Sequence, residues 1–396
     1  MEELNSIFKK HIDEGLYPGV EWKIKIQDQI YEDRIGYMDL NTKEFIKKNS
    51  LYRIWSMTKP IVSVAVMQLV EEKKIYLNDP ISKFLPQFSN LKVLKNVNSS
   101  IDDVEELKQM PTIKNLLLHT AGFSYNFLGD AVAKEYDKIK LFSSPETTLE
   151  EEINNLSKIP LLCQPKTHWF YSVATDILGR IIEIVTNKKL QTVLKQNIFD
   201  PIGMNDTDFY VPKNKLNRLM KSYEFDSLNQ KLTEHIAGSQ KIVEFSYPVD
   251  NMTTYARGGH GLFSSLDDYS LFAQMLLTGK TISDKIILSN ETMKEITQNH
   301  LDSSFFPLEI NTFDKEEDNE NDLEPYGWGL GFRTLIDLKK TNGIGNIGEF
   351  GWAGAAATYF LVDPKKELTA VLMTQVLNAE PQLKKDFVRT IYNNLD

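Results

Sequence analysis

The apolar positions of this chain follow two rhythms and then break both in one uninterrupted run. Near the start, Leu4, Ile7, Phe8 and Ile12 keep a helical spacing that stops at Gly15. Val20, Trp22, Ile24 and Ile26 then share one face of an alternating segment, the period of a half-buried strand. The polar Gln27-Asp28-Gln29 joins them to a second strand over residues 30–37, which predicts a hairpin. Residues 61–70 obey neither rhythm. Apolar side chains cover nearly every face there, so the run predicts a buried helix. Pro60 fits only in its first turn, where a proline removes no useful hydrogen bond.

The middle of the chain reads as helical. Residues 89–109 are a polar excursion with no assigned structure. A helix follows, with Thr112 as its cap and Gly122 as its stop. Residues 147–158 predict an acidic helix, and residues 176–185 and 190–203 keep helical spacing. Beyond Gly258-Gly259-His260-Gly261, residues 266–277 form a strong helix pattern with Asp267 and Asp268 in the first turn. Residues 359–363 and 368–375 flank a Pro364-Lys365-Lys366-Glu367 turn and read as a hairpin of buried strands. Residues 382–395 supply a closing helix.

Composition narrows the partners. The 396 residues are 41% hydrophobic and 25% charged, ordinary for a globular protein with a real core. A net charge of -10 with no basic run argues against nucleic acid or an anionic membrane surface as partner. Cys163 is the sole cysteine, so no internal disulfide exists and thiol-ligated zinc is disfavoured. Met1-Glu2-Glu3-Leu4 lacks the character of a secretory signal, and no apolar stretch is long enough to span a bilayer. The expectation is a cytoplasmic protein. Residues 314–324 are a dense acidic run, which reads as a mobile loop.

The candidate chemistry begins at the buried helix. Ser56 opens it and Lys59 follows three residues on, so both side chains share a helix face. A serine hydroxyl is a weak nucleophile until a base takes its proton. Burial and the positive end of the helix dipole disfavour an ammonium, which suits Lys59 to that role. The competing reading makes Ser56 a simple cap, and the stretch alone does not separate the two. Ser6 and Lys9, and Ser89 and Lys92, repeat the spacing without a buried helix behind them. His119 stands at an apolar helix end, a place more often structural than catalytic. His260 lies between glycines, but no phosphate-loop lysine follows, which argues against a nucleotide site.

Read together, Ser56-Met57-Thr58-Lys59, Asp79-Pro80, Leu117-Leu118-His119-Thr120-Ala121-Gly122, Tyr171-Ser172, Leu178-Gly179-Arg180, residues 258–265 and Gly351-Trp352-Ala353-Gly354 form an ordered set. The set resembles the class C β-lactamase-like superfamily of serine hydrolases, and most nearly its family VIII carboxylesterase branch. The resemblance spans residues 19–375. It implies that Ser56 is the acylated nucleophile, Lys59 its base and Tyr171 a proton shuttle to the leaving group. Trp352, Ala353 and Gly354 correspond to the third motif and would wall the substrate site. The backbone N–H groups of Ser56 and Ala355 would form the oxyanion hole.

Two departures from the lactamase pattern bear on substrate. Val173 occupies the position of an asparagine, at the substrate's edge, and Trp352 replaces a lysine that would attract a carboxylate. Losing one charge-assisted bond costs roughly 1.5–3 kcal/mol, tenfold or more in binding. Both changes favour neutral small esters. The implied fold is α+β and β-lactamase/penicillin-binding-protein-like. Residues 1–85 and 236–396 would carry an antiparallel sheet flanked by helices, residues 86–235 would be mostly helical, and the site would lie between them. No cofactor or metal is implied, and the partner is a small-molecule ester or amide. The alternatives are a β-lactamase or D-amino-acid peptidase on the same scaffold, and a non-catalytic binding protein.

Overall fold

A computed structural model describes residues 3–142, 147–235, 256–310 and 321–395. Its centre is an antiparallel sheet of eight strands. In chain order these are β1 (Gly19–Ile26), β2 (Gln29–Asp39), β3 (Glu44–Phe45), β4 (Tyr326–Trp328), β5 (Arg333–Leu335), β6 (Phe350–Ala353), β7 (Tyr359–Asp363) and β8 (Leu368–Met373). Their spatial order is β4-β5-β6-β7-β8-β1-β2-β3, so the N-terminal hairpin pairs with the C-terminal one along β1 and β8. The sheet thus joins the two ends of the sequence.

Alternation along the strands sorts the core. Tyr359, Leu361, Ala370 and Leu372 point to one face, with Trp22 and Ile24. Helix α1 (Glu3–Asp13) covers that face with Leu4 and Phe8, and helix α6 (Gln382–Asn393) with Leu383, Phe387 and Ile391. Phe360, Val362, Val371 and Met373 point the other way into the larger core. Helix α5 (Leu266–Thr278) packs on that second face, and behind it lies α2 (Thr58–Glu71). From Thr58 to Met67 every residue of α2 is buried, as its all-round apolar pattern predicts. Ser56 lies just ahead of it, in the short turn Trp55–Met57.

Three other attachments hold the site's framework. The segment Leu51–Arg53 pairs antiparallel with Phe263–Ser265, and Ile54 N–H donates to Leu262 O at 3.1 Å. Gln375 bridges from the end of β8 to Arg53, accepting from its N–H at 3.1 Å and donating to its carbonyl at 3.0 Å. The helix α3 (Ile113–Leu117) has the capping box of Thr112 and Asn115 at its start, and helix α4 (Ala174–Thr186) follows the Tyr171 loop.

The region 86–235 contains more strand than the sequence pattern suggested. Lys92–Leu94 pairs with Val104–Glu106 inside the polar excursion. Tyr223–Asp226 pairs with Lys231–Glu234 and, in parallel, with Val376–Leu377, so this segment grips the chain's C-terminal part. Strands of two to four residues carry too few alternations to announce themselves. The boundary placed at residue 236 lies outside the described residues, as does most of the acidic run 314–324.

Candidate active site

Local backbone geometry presents Ser56. Trp55, immediately before it, adopts φ +47°, a left-handed conformation that disfavours a large side chain by about 1–2 kcal/mol. The ring is buried and the next turn is anchored, since Tyr269 Oη donates to Met57 O at 2.9 Å. That kink turns Ser56 out of the helix line and into a cavity of ≈ 360 Å³. Volumes of a few hundred Å³ suit small ligands.

Lys59 reaches the same point from inside. Its Nζ lies 3.2 Å from Ser56 Oγ, 2.7 Å from Gly259 O and 3.5 Å from Tyr125 Oη. An ammonium has three protons for those three acceptors; a neutral amine gives two, to Gly259 and Tyr125, and turns its lone pair to the serine. The arrangement therefore accommodates both protonation states with one proton moving between Ser56 and Lys59. Burial pulls the Lys59 ammonium down to about 7, and the Asp176 carboxylate acts against that pull.

Tyr171 completes the group from the loop ahead of α4. His119 O accepts from Phe170 N–H at 3.0 Å, His119 Nδ1 accepts from Ser172 N–H at 3.2 Å, and Ser124 O accepts from Val173 N–H at 3.1 Å. His119 is thus a brace for the tyrosine loop, with its ring 4.8 Å from that of Tyr171. Tyr171 Oη takes a hydrogen bond from Trp352 Nε1 at 3.1 Å and has the Ser56 side chain as its other hydrogen-bonding neighbour. Burial raises the Tyr171 phenol above its ordinary range, so it is a proton donor at neutral pH. Of the two candidate bases, Lys59 is the one its surroundings leave able to lose a proton.

The strand β6 closes the cavity. A side chain at Gly354 would bring Cβ to 2.5 Å from Ile54 O, so only glycine lets the strand end come this close to the Ser56 turn. Ala355 follows at the cavity wall, and its N–H has no acceptor among the described residues. Ala353, Gly354, Trp352 and Ser56 line the cavity with it, and the rest of the lining is largely aromatic and aliphatic, including Phe127 and Leu323. Arg333 and Lys384 stand at its polar end. Lys384 is paired with Asp322 at 2.5 Å, and Arg333 is held between the rings of Tyr326 and Tyr359.

Of the residues singled out in the sequence, Ser56, Lys59, Tyr171, Trp352, Ala353, Gly354 and Ala355 come together, and His260 joins the lining. Val173 does not. It is fully buried behind the tyrosine loop and does not line the cavity, so the edge expected there is not part of the substrate surface. Trp352 plays two parts: its ring packs on Trp328 at 4.6 Å while its Nε1 holds Tyr171. Replacing it with phenylalanine keeps a ring but removes that bond. Turnover should fall about three- to tenfold with KM little changed, measured by steady-state kinetics on an aryl ester.

Sequence reasoning missed three contributors. Tyr125 stacks on Tyr171 with ring centroids 5.7 Å apart. The Gly259 carbonyl anchors Lys59, and Asp176 accepts from Gly259 N–H at 3.0 Å. The signals were faint: a tyrosine in a loop, and an acid in the first turn of a helix, where acids are common.

A sheet flanked by helices, with a serine and a lysine one turn apart at the head of a buried helix, defines the β-lactamase/penicillin-binding-protein-like fold. The β-lactamase family model matches residues 4–391, and the chain belongs to that family. It is 27% identical to Protein Rv1367c of Mycobacterium tuberculosis over 391 residues, covering 96% of this chain and 91% of the relative. It is 26% identical to the lovastatin esterase of Penicillium rubens, covering 86% and 83%. The structure of EstCE1, a hydrolase with promiscuous acyltransferase activity, superposes with a TM-score of 0.81 at 22% identity, covering 99% and 98%. Among the described residues no helix is long and apolar enough to cross a membrane.

Proposed function

We propose that this protein is a serine carboxylesterase acting through an acyl-enzyme on Ser56. The observation that carries this reading is the 3.2 Å contact between Ser56 Oγ and a lysine that burial has made a usable base. Ser56 Oγ attacks the ester carbonyl as its proton passes to Lys59 Nζ. The oxyanion rests on the N–H groups of Ser56 and Ala355. The C–O bond to the alcohol then breaks, and Tyr171 passes the proton on to the departing alkoxide, being reprotonated from Lys59. Water reverses the sequence, giving up its proton along the same path and releasing the acid.

The substrate class follows from the wall. Trp55, Phe127, Leu323 and Trp352 favour an apolar acyl or alcohol group, and both cations at the polar end already have partners. The expected substrates are small neutral esters. A β-lactam or D-peptide carboxylate would find no lysine at Trp352. Across a panel of aryl esters and a chromogenic cephalosporin, kcat/KM should favour the best ester by about tenfold or more, one lost charge-assisted contact of roughly 1.5 kcal/mol. Comparable rates on the cephalosporin would favour the lactamase reading.

Lys59 must be neutral to act, so the pH profile has a predicted sign. The rate, followed as log kcat/KM, should rise with pH, bend near 7 and level off above it. Below the bend it should fall by roughly tenfold for each pH unit. A profile that is flat from pH 5 to 8 would remove Lys59 from the role of base.

A further inference from the structure

Behind the catalytic group lies a carboxylate that the mechanism above does not use. Asp176, in the first turn of α4, is fully buried. Its Oδ1 accepts from Gly259 N–H at 3.0 Å, and its Oδ2 has no hydrogen-bond partner among the described residues. The carbonyl of the same Gly259 accepts from Lys59 Nζ at 2.7 Å. One residue of backbone therefore connects the carboxylate to the lysine. A side chain on Gly259 would meet Asp176 Oδ2 at 2.5 Å, so glycine is required for that closeness.

We propose that Asp176 is a positioning residue for Lys59: its charge stabilises the ammonium that forms when Ser56 is acylated, and its bond to Gly259 aims the carbonyl that holds Nζ. This rests on the esterase reading above. An isolated ammonium created in a buried site is disfavoured by several kcal/mol, which would oppose proton abstraction at the moment it occurs. A fixed anion removes much of that penalty without touching the substrate, as the buried aspartate of a Ser-His-Asp triad does for its imidazolium.

The other groups around Lys59 do not take this part. Tyr171 presents its ring face to Nζ at 4.6 Å and Tyr125 its hydroxyl oxygen at 3.5 Å, and burial keeps the Tyr171 phenol protonated. His119 and His260 are pushed well below their ordinary range by burial and by Lys59, so both are neutral. Arg257 pairs with Glu152 at 3.2 Å, and both act on Asp176. Among the described residues that leaves Asp176 as the anion acting on Lys59: burial raises its carboxyl to about 6, still ionised above pH 7, with Lys59 opposing that rise, while Asp176 opposes the fall that burial imposes on Lys59.

The test is Asp176→Asn in the full chain, which keeps the acceptor for Gly259 N–H and removes the charge. With an aryl ester, kcat should fall about a hundredfold and KM stay within about threefold. The bend in log kcat/KM should move to lower pH by about one unit, because Lys59 loses the charge that held its proton. A fall in rate with the bend unmoved would mean a merely structural role and would overturn the proposal. Thermal unfolding of both proteins supplies a readout without turnover. Between pH 8 and 7, above the range in which Asp176 itself takes up its proton, the folded wild type takes up more of a proton on Lys59 than the variant does, so the wild type should gain stability relative to the variant as pH falls. A constant difference over that range would also overturn it. If wild type hydrolyses no ester, the esterase reading fails, and the unfolding comparison still decides whether Asp176 supports a charged Lys59.

Discussion

Replacing Ser56 with alanine should lower kcat/KM toward any ester by about 10⁵-fold while leaving the fold intact. The side chain contributes no cap to α2, since no side-chain cap bond is present at either the Trp55–Met57 turn or the helix start. Among the described residues its side-chain hydrogen-bonding neighbours are Lys59 and Tyr171. Loss of the hydroxyl removes the atom that becomes acylated, and in hydrolases of this kind single removal of the nucleophile costs roughly as much as removal of the whole set. Melting temperature should change by no more than about 2 °C. A variant that retained a tenth of the activity would mean that the reaction does not pass through Ser56.

The second large effect is expected at Lys59, where methionine replaces a buried amine with an apolar chain of similar length. The base is lost, and kcat should fall about 10³–10⁴-fold with KM little affected. Stability should hold or rise, because an ammonium no longer has to enter the interior. Burial raises the Asp176 carboxyl to about 6, and without the Lys59 charge, with one oxygen unpartnered, it would be raised further. Activity within tenfold of wild type would assign the base to Tyr171 instead. Differential scanning fluorimetry beside steady-state kinetics separates this outcome from unfolding.

How much of this was legible in the sequence depended on distance along the chain. The Ser56–Lys59 pair is local, and its buried helix is announced by ten residues of apolar pattern. The sheet is legible because β1 alternates and β7 and β8 are apolar runs on either side of a turn, and that the two ends of the chain share one sheet is what the resemblance implies. Tyr171 and Trp352 were reached through a resemblance, and neither the spacing nor the composition would have joined them. Tyr125 and Gly259 stand 66 and 200 residues from Lys59 and touch it only after tertiary closure. Asp176 is marked only as an acid in the first turn of a helix, and its importance comes from complete burial beside a second charge. Val173 shows the opposite failure: a motif position implied a substrate contact, and packing behind the tyrosine loop removed it.

The most direct measurement is intact-protein and peptide mass spectrometry after exposure to a fluorophosphonate, which captures an activated serine as a stable adduct. The account predicts one phosphonyl group per chain, on the peptide containing Ser56. It also predicts slower labelling below pH 7 and none in Ser56→Ala. No adduct on the wild-type chain, or an adduct on another residue with Ser56 unmodified, would contradict it.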